Sequence, residues 1–376
     1  MYLITNRHIY ADKKGTDIFG STPNTNGAQE ITFVKAERKG KSWKTEIVTD
    51  ELDKEDAKTL KKKHKIDIDL KEQWYGSLKV ACEIYETAME SNKSILFFVH
   101  GYNNDVDDVL EAADAIEKLY NVIVVPFTWP ANGGNFITGT AAYLSDKADA
   151  RQSTHALNRI VGKLGFYHSL LTEGSLKKLR KKAADAHPDN QIAAREYFTK
   201  LQGKVCKTKI SLLCHSMGNY LLKHTLMTGD SQTKNLVFDN ICLVSADANN
   251  KNHRAWVERL DVRNRCYIVI NESDCALLAS RIKPGEEQFA RLGHYTKKLD
   301  STNAYYIDVT DAEGIGSDHT YFKGDSVRDN AELKAIFQGM FKGLSIEKNL
   351  LYRVDNNSYV LNCRTSFVEN CDEELE

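Results

Sequence analysis

The chain has 376 residues, enough for one large α/β domain with an appendage. Its 51 basic and 52 acidic residues leave a formal charge of −1, and 41% of it is hydrophobic. This is a soluble, globular composition that excludes a general electrostatic pull towards nucleic acid or anionic lipid, so function must come from a local site. Residues Met1 to His8 lack the basic-then-apolar layout of a secretory signal, and no apolar run reaches bilayer length; cytoplasmic residence is the expectation. The eight cysteines (Cys82, Cys206, Cys214, Cys242, Cys266, Cys275, Cys363 and Cys371) form no C-x-x-C pair, and several lie inside apolar runs. Reduced, mostly buried thiols are expected, with no metal site and no cofactor.

Three β-like patches open the chain, Met1 to Tyr10, Glu30 to Val34 and Trp43 to Val48, before a charged run ending in Leu60-Lys-Lys-Lys-His-Lys65. Such a run reads as a solvated helix face or loop. Residues 1–75 are therefore expected to form a small β-rich extension on the main domain. From Gly76 to Ser91, Leu78, Ala81, Ile84, Tyr85 and Ala88 fall at helical spacing, and the continuous apolar strand Ser94 to His100 follows. Its end, His100-Gly-Tyr-Asn-Asn104, precedes a helix over about 106–120 and a second apolar strand, Val122 to Trp129, closed by Pro130. Fully apolar strands alternating with amphipathic helices predict a parallel sheet covered on both faces.

A helix over about 147–164 is expected after the loop Asn132 to Asn135. Residues 165–205 then depart from the alternation: a basic helix near 175–182, His187-Pro188 and a further helical piece make a lid-like helical insertion. The next apolar run, Lys209 to Cys214, leads through Cys214-His-Ser-Met-Gly218 directly into a helical pattern. A serine at such a strand-to-helix turn is exposed to a base, with Gly218 allowing strand and helix to approach and small Cys214 replacing the first glycine of the usual motif. Further strands are expected at Asn240 to Ala246, Cys266 to Ile270 and Ala304 to Val309. Asp247, Asp274 and His319 lie on the segments that follow them. A helix over 329–342 would close the domain, so that the main unit spans 76–345 and a tail spans 346–376.

A nucleophilic serine needs a histidine base, and the base needs an acid to fix its tautomer. Ser216, Asp274 and His319 occur in the chain order Ser, Asp, His, each beyond the carboxyl end of a strand, where an open parallel sheet gathers its site. Asp247 is the alternative acid, and helix capping is the competing role for Asp274. Among other histidines, His294 precedes the last strand, His253 starts a helix, and His215 is expected to point away from the serine. Backbone N–H groups of Met217, at a helix N-terminus, and of Tyr102, beyond the supporting turn His100-Gly101, are the expected oxyanion donors.

His100-Gly-Tyr-Asn-Asn104, Phe127-Thr-Trp-Pro130, His215-Ser-Met-Gly-Asn219, the strand ending Ser245-Ala-Asp247, Ser273-Asp274 and Asp318-His-Thr-Tyr-Phe322 together resemble the bacterial α/β hydrolase family of unknown function, a lipase- and esterase-like group. The likeness covers roughly residues 92–345. It implies the α/β hydrolase fold, a mostly parallel central sheet flanked by helices, with Ser216, Asp274 and His319 as the matched triad, and little about substrate. This chain departs from the family pattern at Ser245-Ala-Asp247, where a proline is usual, and at Asp318, in place of the usual glycine.

The combined reading is a serine hydrolase cleaving a carboxylic ester, with a lipid ester as one form of it. Trp129, Phe136, Tyr143 and the insertion are candidates to line an acyl pocket. Thioesterase, amidase or acyltransferase chemistry would use the same residues, and a hydrolase-fold binding or effector module without turnover is the reading from another class. The expected partner is a small-molecule or lipid ester; any protein partner would meet the N-terminal extension, and neither nucleic acid nor an integral membrane segment is expected.

Overall fold

A computed structural model describes residues 1–131, 139–188, 190–205, 208–228, 236–283 and 289–361. The N-terminal part contains β1 (Tyr2–Thr5), β2 (Arg7–Ile9), β3 (Phe19–Pro23), β4 (Thr32–Lys39), β5 (Ser42–Ile47), β6 (Glu51–Leu52), α1 (Lys54–His64) and β7 (Trp74–Tyr75). The alternation follows with α2 (Gly76–Ser91), β8 (Ile95–Val99), α3 (Val106–Tyr120) and β9 (Ile123–Thr128). Three helices come next, α4 (Gly139–Gln152), α5 (Thr154–Ala186) and α6 (Gln191–Val205), then β10 (Ile210–His215), α7 (Met217–Met227), β11 (Asn240–Val244) and α8 (Arg254–Val257). The chain closes with β12 (Arg265–Ile270), α9 (Cys275–Arg281), β13 (Ala304–Asp308), α10 (Asp325–Arg328), α11 (Ala331–Phe341), β14 (Leu351–Arg353) and β15 (Ser358–Val360).

Eleven of these strands make one sheet, in the order β14-β15-β13-β12-β11-β10-β8-β9-β1-β4-β5. It is parallel from β15 to β1 and antiparallel only at its rims, where β14 pairs with β15 and β4 with β1 and β5. The period-two alternation of Ile95-Leu-Phe-Phe-Val99 explains why the strands are apolar throughout. Phe97 and Val99 face a core built with Leu157, Ile160, Leu221 and Trp256. Leu96 and Phe98 face the opposite core, with Ala113, Ile116, Phe337 and Phe341. Local signals set the helix ends. Asp105 accepts the Asp108 N–H at 2.9 Å while Asp108 accepts the Asp105 N–H at 3.2 Å, a reciprocal cap that starts α3. Asn121, at φ 52°, ends it in the left-handed conformation.

The N-terminal extension is β-rich and is fused to the sheet edge to edge, Ile4 and Thr5 of β1 pairing in parallel with Phe127 and Thr128 of β9. The lysine run closes α1, where cations suit the negative end of the helix. Residues 351–353 and 358–360 of the expected tail extend the sheet at its other rim. In place of one helix over 147–164 the chain forms α4 and α5, divided at Ser153, and α5 runs on through the basic stretch. Its Tyr167, Leu170 and Leu171 pack against Leu52, Leu60 and Ile68 of the extension. Four cysteines, Cys82, Cys214, Cys242 and Cys266, are buried thiols, whereas Cys275 is exposed; Cys206, Cys363 and Cys371 lie outside the described residues. Among the described residues no helix is long and apolar enough to cross a membrane.

Candidate active site

Ser216 occupies the turn between β10 and α7 with φ 52° and ψ −122°, a conformation that costs a non-glycine residue energy and persists only where neighbours enforce it. The enforcing bonds are in place. The Ser216 N–H donates to the Val244 carbonyl at 3.1 Å, and the Ser216 carbonyl accepts from the N–H groups of Asn219 and Asp247, each at 3.1 Å. The Asn219 side-chain amide, fully buried, donates to the carbonyls of Cys214 at 2.9 Å, Ser216 at 3.2 Å and Val244 at 3.3 Å. Its identity matters because only a short side-chain amide offers donors inside so tight a turn.

Two glycines set the distances. A Cβ on Gly218 would lie 2.6 Å from the Val99 carbonyl oxygen and 2.7 Å from that of His100, so the start of α7 seats on the end of β8 only without one. A Cβ on Gly101 would fall 2.6 Å from the Ser216 Cβ. The loop leading to Tyr102 thus lies directly beside the serine, near the N-terminus of α7 where Met217 sits. His100 holds that loop from behind. Its Nδ1 bonds to the Gly101 carbonyl at 2.9 Å, its Nε2 accepts the Trp129 N–H at 3.2 Å, and the two rings stack 5.2 Å apart. Burial pushes the His100 pKa down to about 3, so the ring is neutral with its proton on Nδ1. Trp129, fully buried, serves this stack and does not line the cleft; Phe136 lies outside the described residues.

His319 and Asp274 meet across the carboxyl ends of β12 and β13. Asp274 Oδ2 lies 2.7 Å from His319 Nδ1, which puts the proton on Nδ1 and leaves Nε2 as the basic nitrogen. The other oxygen, Oδ1, accepts the Leu277 N–H at 3.0 Å and caps α9. Capping and contact with the histidine are therefore compatible, one oxygen for each. Asp274 is fully buried, while the His319 side chain keeps 22% of its exposure.

The loop carrying His319 is held at several points. The His319 carbonyl accepts from Ser245 Oγ at 3.0 Å and from His215 Nε2 at 3.0 Å. Asn271 Nδ2 donates to the Gly316 and Asp318 carbonyls at 3.0 and 3.3 Å, and Ser326 Oγ donates to Asp318 Oδ2 at 2.6 Å. The two departures from the family pattern, Ser245 and Asp318, are thus themselves clasps of this loop. The His215 ring packs 4.7 Å from that of His319, so this histidine supports the loop that carries the base. Burial, reinforced by the nearby His319, holds the His215 pKa well below the usual imidazole range, so it donates as a neutral ring.

Asp247, the alternative acid, is engaged elsewhere. Its Oδ1 accepts from Ser280 Oγ at 2.9 Å and pairs with Arg291 Nε at 3.1 Å, and its Oδ2 accepts the Tyr143 hydroxyl at 2.9 Å. Arg291 is missed by sequence reasoning, because nothing local marks a residue so far along the chain as the partner of Asp247. Another unforeseen contact comes from Arg7 of β2. Only 3% exposed, it donates to the Asn104 and Ala131 carbonyls, each at 3.0 Å, and to Thr128 Oγ1 at 3.0 Å. The N-terminal extension thereby touches the segment just past Gly101.

All of this surrounds a cleft of about 630 Å³ lined by Ser216, His319, Tyr102, Tyr143, Lys283 and Lys323, among others. That is room for a small organic substrate. No described residue of 165–205 is among those lining it; Tyr167, Leu170 and Leu171 of α5 pack on the extension. No group of three or more His, Cys, Asp or Glu side chains that could hold a metal ion occurs among the described residues. A family model described as alpha/beta hydrolase of unknown function (DUF900) matches residues 81–167 and 184–333. No curated protein and no solved structure matches the chain.

Proposed function

From the premise that the chain belongs to the α/β hydrolases of unknown function, we propose that it is a serine hydrolase cleaving a carboxylic ester through an acyl-enzyme on Ser216. The observation that carries this reading is the 2.7 Å contact of Asp274 with His319 Nδ1, in a cleft that also receives Ser216 from a turn at φ 52°.

In this mechanism His319 Nε2 takes the Ser216 hydroxyl proton as Oγ attacks the acyl carbon. Asp274 holds the imidazolium in place. The oxyanion of the tetrahedral intermediate is met by the N–H groups of Met217 and Tyr102, the first aided by the positive end of α7. When the intermediate collapses, His319 returns the proton to the leaving alcohol. Water then attacks the acyl-enzyme with the same base, releasing the acid and restoring Ser216.

A fluorophosphonate probe tests the reading on the purified chain, together with a series of 4-nitrophenyl esters of increasing acyl length. Labelling and hydrolysis are expected in the wild type, both lost in Ser216→Ala and both strongly reduced in His319→Ala. A folded wild type that neither takes the label nor hydrolyses any ester would exclude turnover and favour a hydrolase-fold binding module.

A further inference from the structure

One cation of the cleft has no assigned partner. Lys283 lines the cleft beside Ser216 and His319. Its ammonium lies over two tyrosine rings, 4.4 Å from the centre of Tyr143 and 5.0 Å from that of Tyr102, and cation–π contact of this kind holds the group in place. Those two rings are themselves packed edge to face, 5.6 Å apart. The acid that acts on it, Asp247, is already engaged by Arg291, Ser280 and Tyr143. Among the described residues Lys283 forms neither an ion pair nor a side-chain hydrogen bond. Burial pulls its pKa down and Asp247 only partly offsets this, as expected for an amine partly drawn from water without a counter-charge beside it.

The other lysine of the cleft, Lys323, differs in its surroundings. Burial lowers its pKa as it does that of Lys283, but three carboxylates, Asp108, Asp318 and Glu111, offset part of that effect, where Lys283 has Asp247 alone. With Asp247 paired to Arg291, Lys283 is, among the described residues lining the cleft, the cation held over aromatic rings without a carboxylate paired to it.

We propose that Lys283 recognises an anionic group on the substrate, so that the ester cleaved at Ser216 carries a carboxylate or phosphate within reach of this amine. The inference rests on the ester-hydrolase reading and narrows it from any ester to an anionic one. The rings of Tyr102 and Tyr143 hold the amine at one end of the cleft, and the substrate's anion supplies the charge-assisted bonds that the protein does not. Neutral acyl glycerides and simple alkyl esters are accordingly the poorer substrates.

Charge-matched ester pairs test this on the full chain. Mono(4-nitrophenyl) adipate against its methyl-capped diester places the anion on the acyl side; 4-acetoxybenzoate against its methyl ester places it on the alcohol side. At least one pair is expected to show kcat/KM about tenfold or more in favour of the charged member, with the preference shrinking as salt rises. Lys283→Met should bring that ratio close to one, Lys283→Arg should keep most of it, and Lys323→Met should change it less than Lys283→Met. Binding of the same esters to the Ser216→Ala protein, followed by calorimetry, gives the ratio without turnover and so remains readable if the hydrolase reading itself fails. Equal handling of charged and capped esters in both pairs, or a preference that survives Lys283→Met, would overturn the assignment while leaving neutral-ester hydrolysis to report on Ser216 separately.

Discussion

Asp274 shows how much one buried carboxylate can carry when its two oxygens are used separately, Oδ1 on the Leu277 N–H of α9 and Oδ2 on His319. The two uses separate by substitution. Asp274→Asn keeps an oxygen for the helix cap but presents an amide to the imidazole, which selects the wrong tautomer. Under the proposed mechanism kcat falls on the order of 10⁴-fold with little change in melting temperature. Asp274→Ala loses the same activity and, in addition, about 1 kcal/mol of stability from the missing cap, measurable by denaturant unfolding. The buried histidines make a second prediction at this scale. His100 titrates near pH 3 when folded and near 6.5 when unfolded. The unfolded chain therefore binds the extra proton between these values, and stability is full above pH 6.5 and declines as pH drops towards 3. Between pH 6 and 5, His100→Gln should lose about one proton, relative to the wild type, from the slope of unfolding free energy against pH. An unchanged slope would mean that His100 is not buried as a neutral ring.

Backbone proximity, more than side-chain chemistry, governs the element scale. Strand β8, the turn at Ser216 and the start of α7 close on one another through positions where no Cβ fits. Gly101→Ala is expected to push the loop off Ser216 and lower kcat on the order of 10²-fold or more, since oxyanion donors act only at hydrogen-bond range, while the protein still melts cooperatively. Gly218→Ala meets two carbonyl oxygens that cannot step aside, so its main effect is a loss of about 1–3 kcal/mol in stability, read from the urea midpoint. Legibility also divides at this scale. The turn around Ser216 could be read from residues 209–223 because an apolar run, one glycine and a helical pattern are all local. The bend of the His319 loop was not readable, since its clasps Ser245, Asn271 and His215 come from three other segments.

Across the whole molecule, the N-terminal extension belongs to the sheet through β1 and to the site's surroundings through Arg7. Unfolding should accordingly be a single transition, with coincident curves from tryptophan fluorescence and far-ultraviolet circular dichroism. Arg7→Met leaves the carbonyls of Asn104 and Ala131 without this donor and should lower stability by at least about 2 kcal/mol. Activity should fall with it, because Asn104 follows the loop beside Ser216. A variant that kept wild-type stability would make the extension a mere neighbour of the domain.

Composition and periodicity by themselves determined the alternation of apolar strands with amphipathic helices, the turn that presents Ser216, and the chain order in which Asp274 and His319 follow it. Each depends on spacing within one short segment, which local sequence records directly. Tertiary structure alone decided which aspartate meets His319, because both follow a strand and only the sheet order, β11 inside β12 and β13, sets Asp247 against Arg291 and Asp274 against the histidine. It also decided that the His215 ring packs against His319, that Tyr167, Leu170 and Leu171 of α5 pack on the extension, and that Lys283 stands over two tyrosines. Those outcomes rest on contacts between residues far apart in sequence, and no local pattern encodes the distance between two segments until the sheet has brought them together.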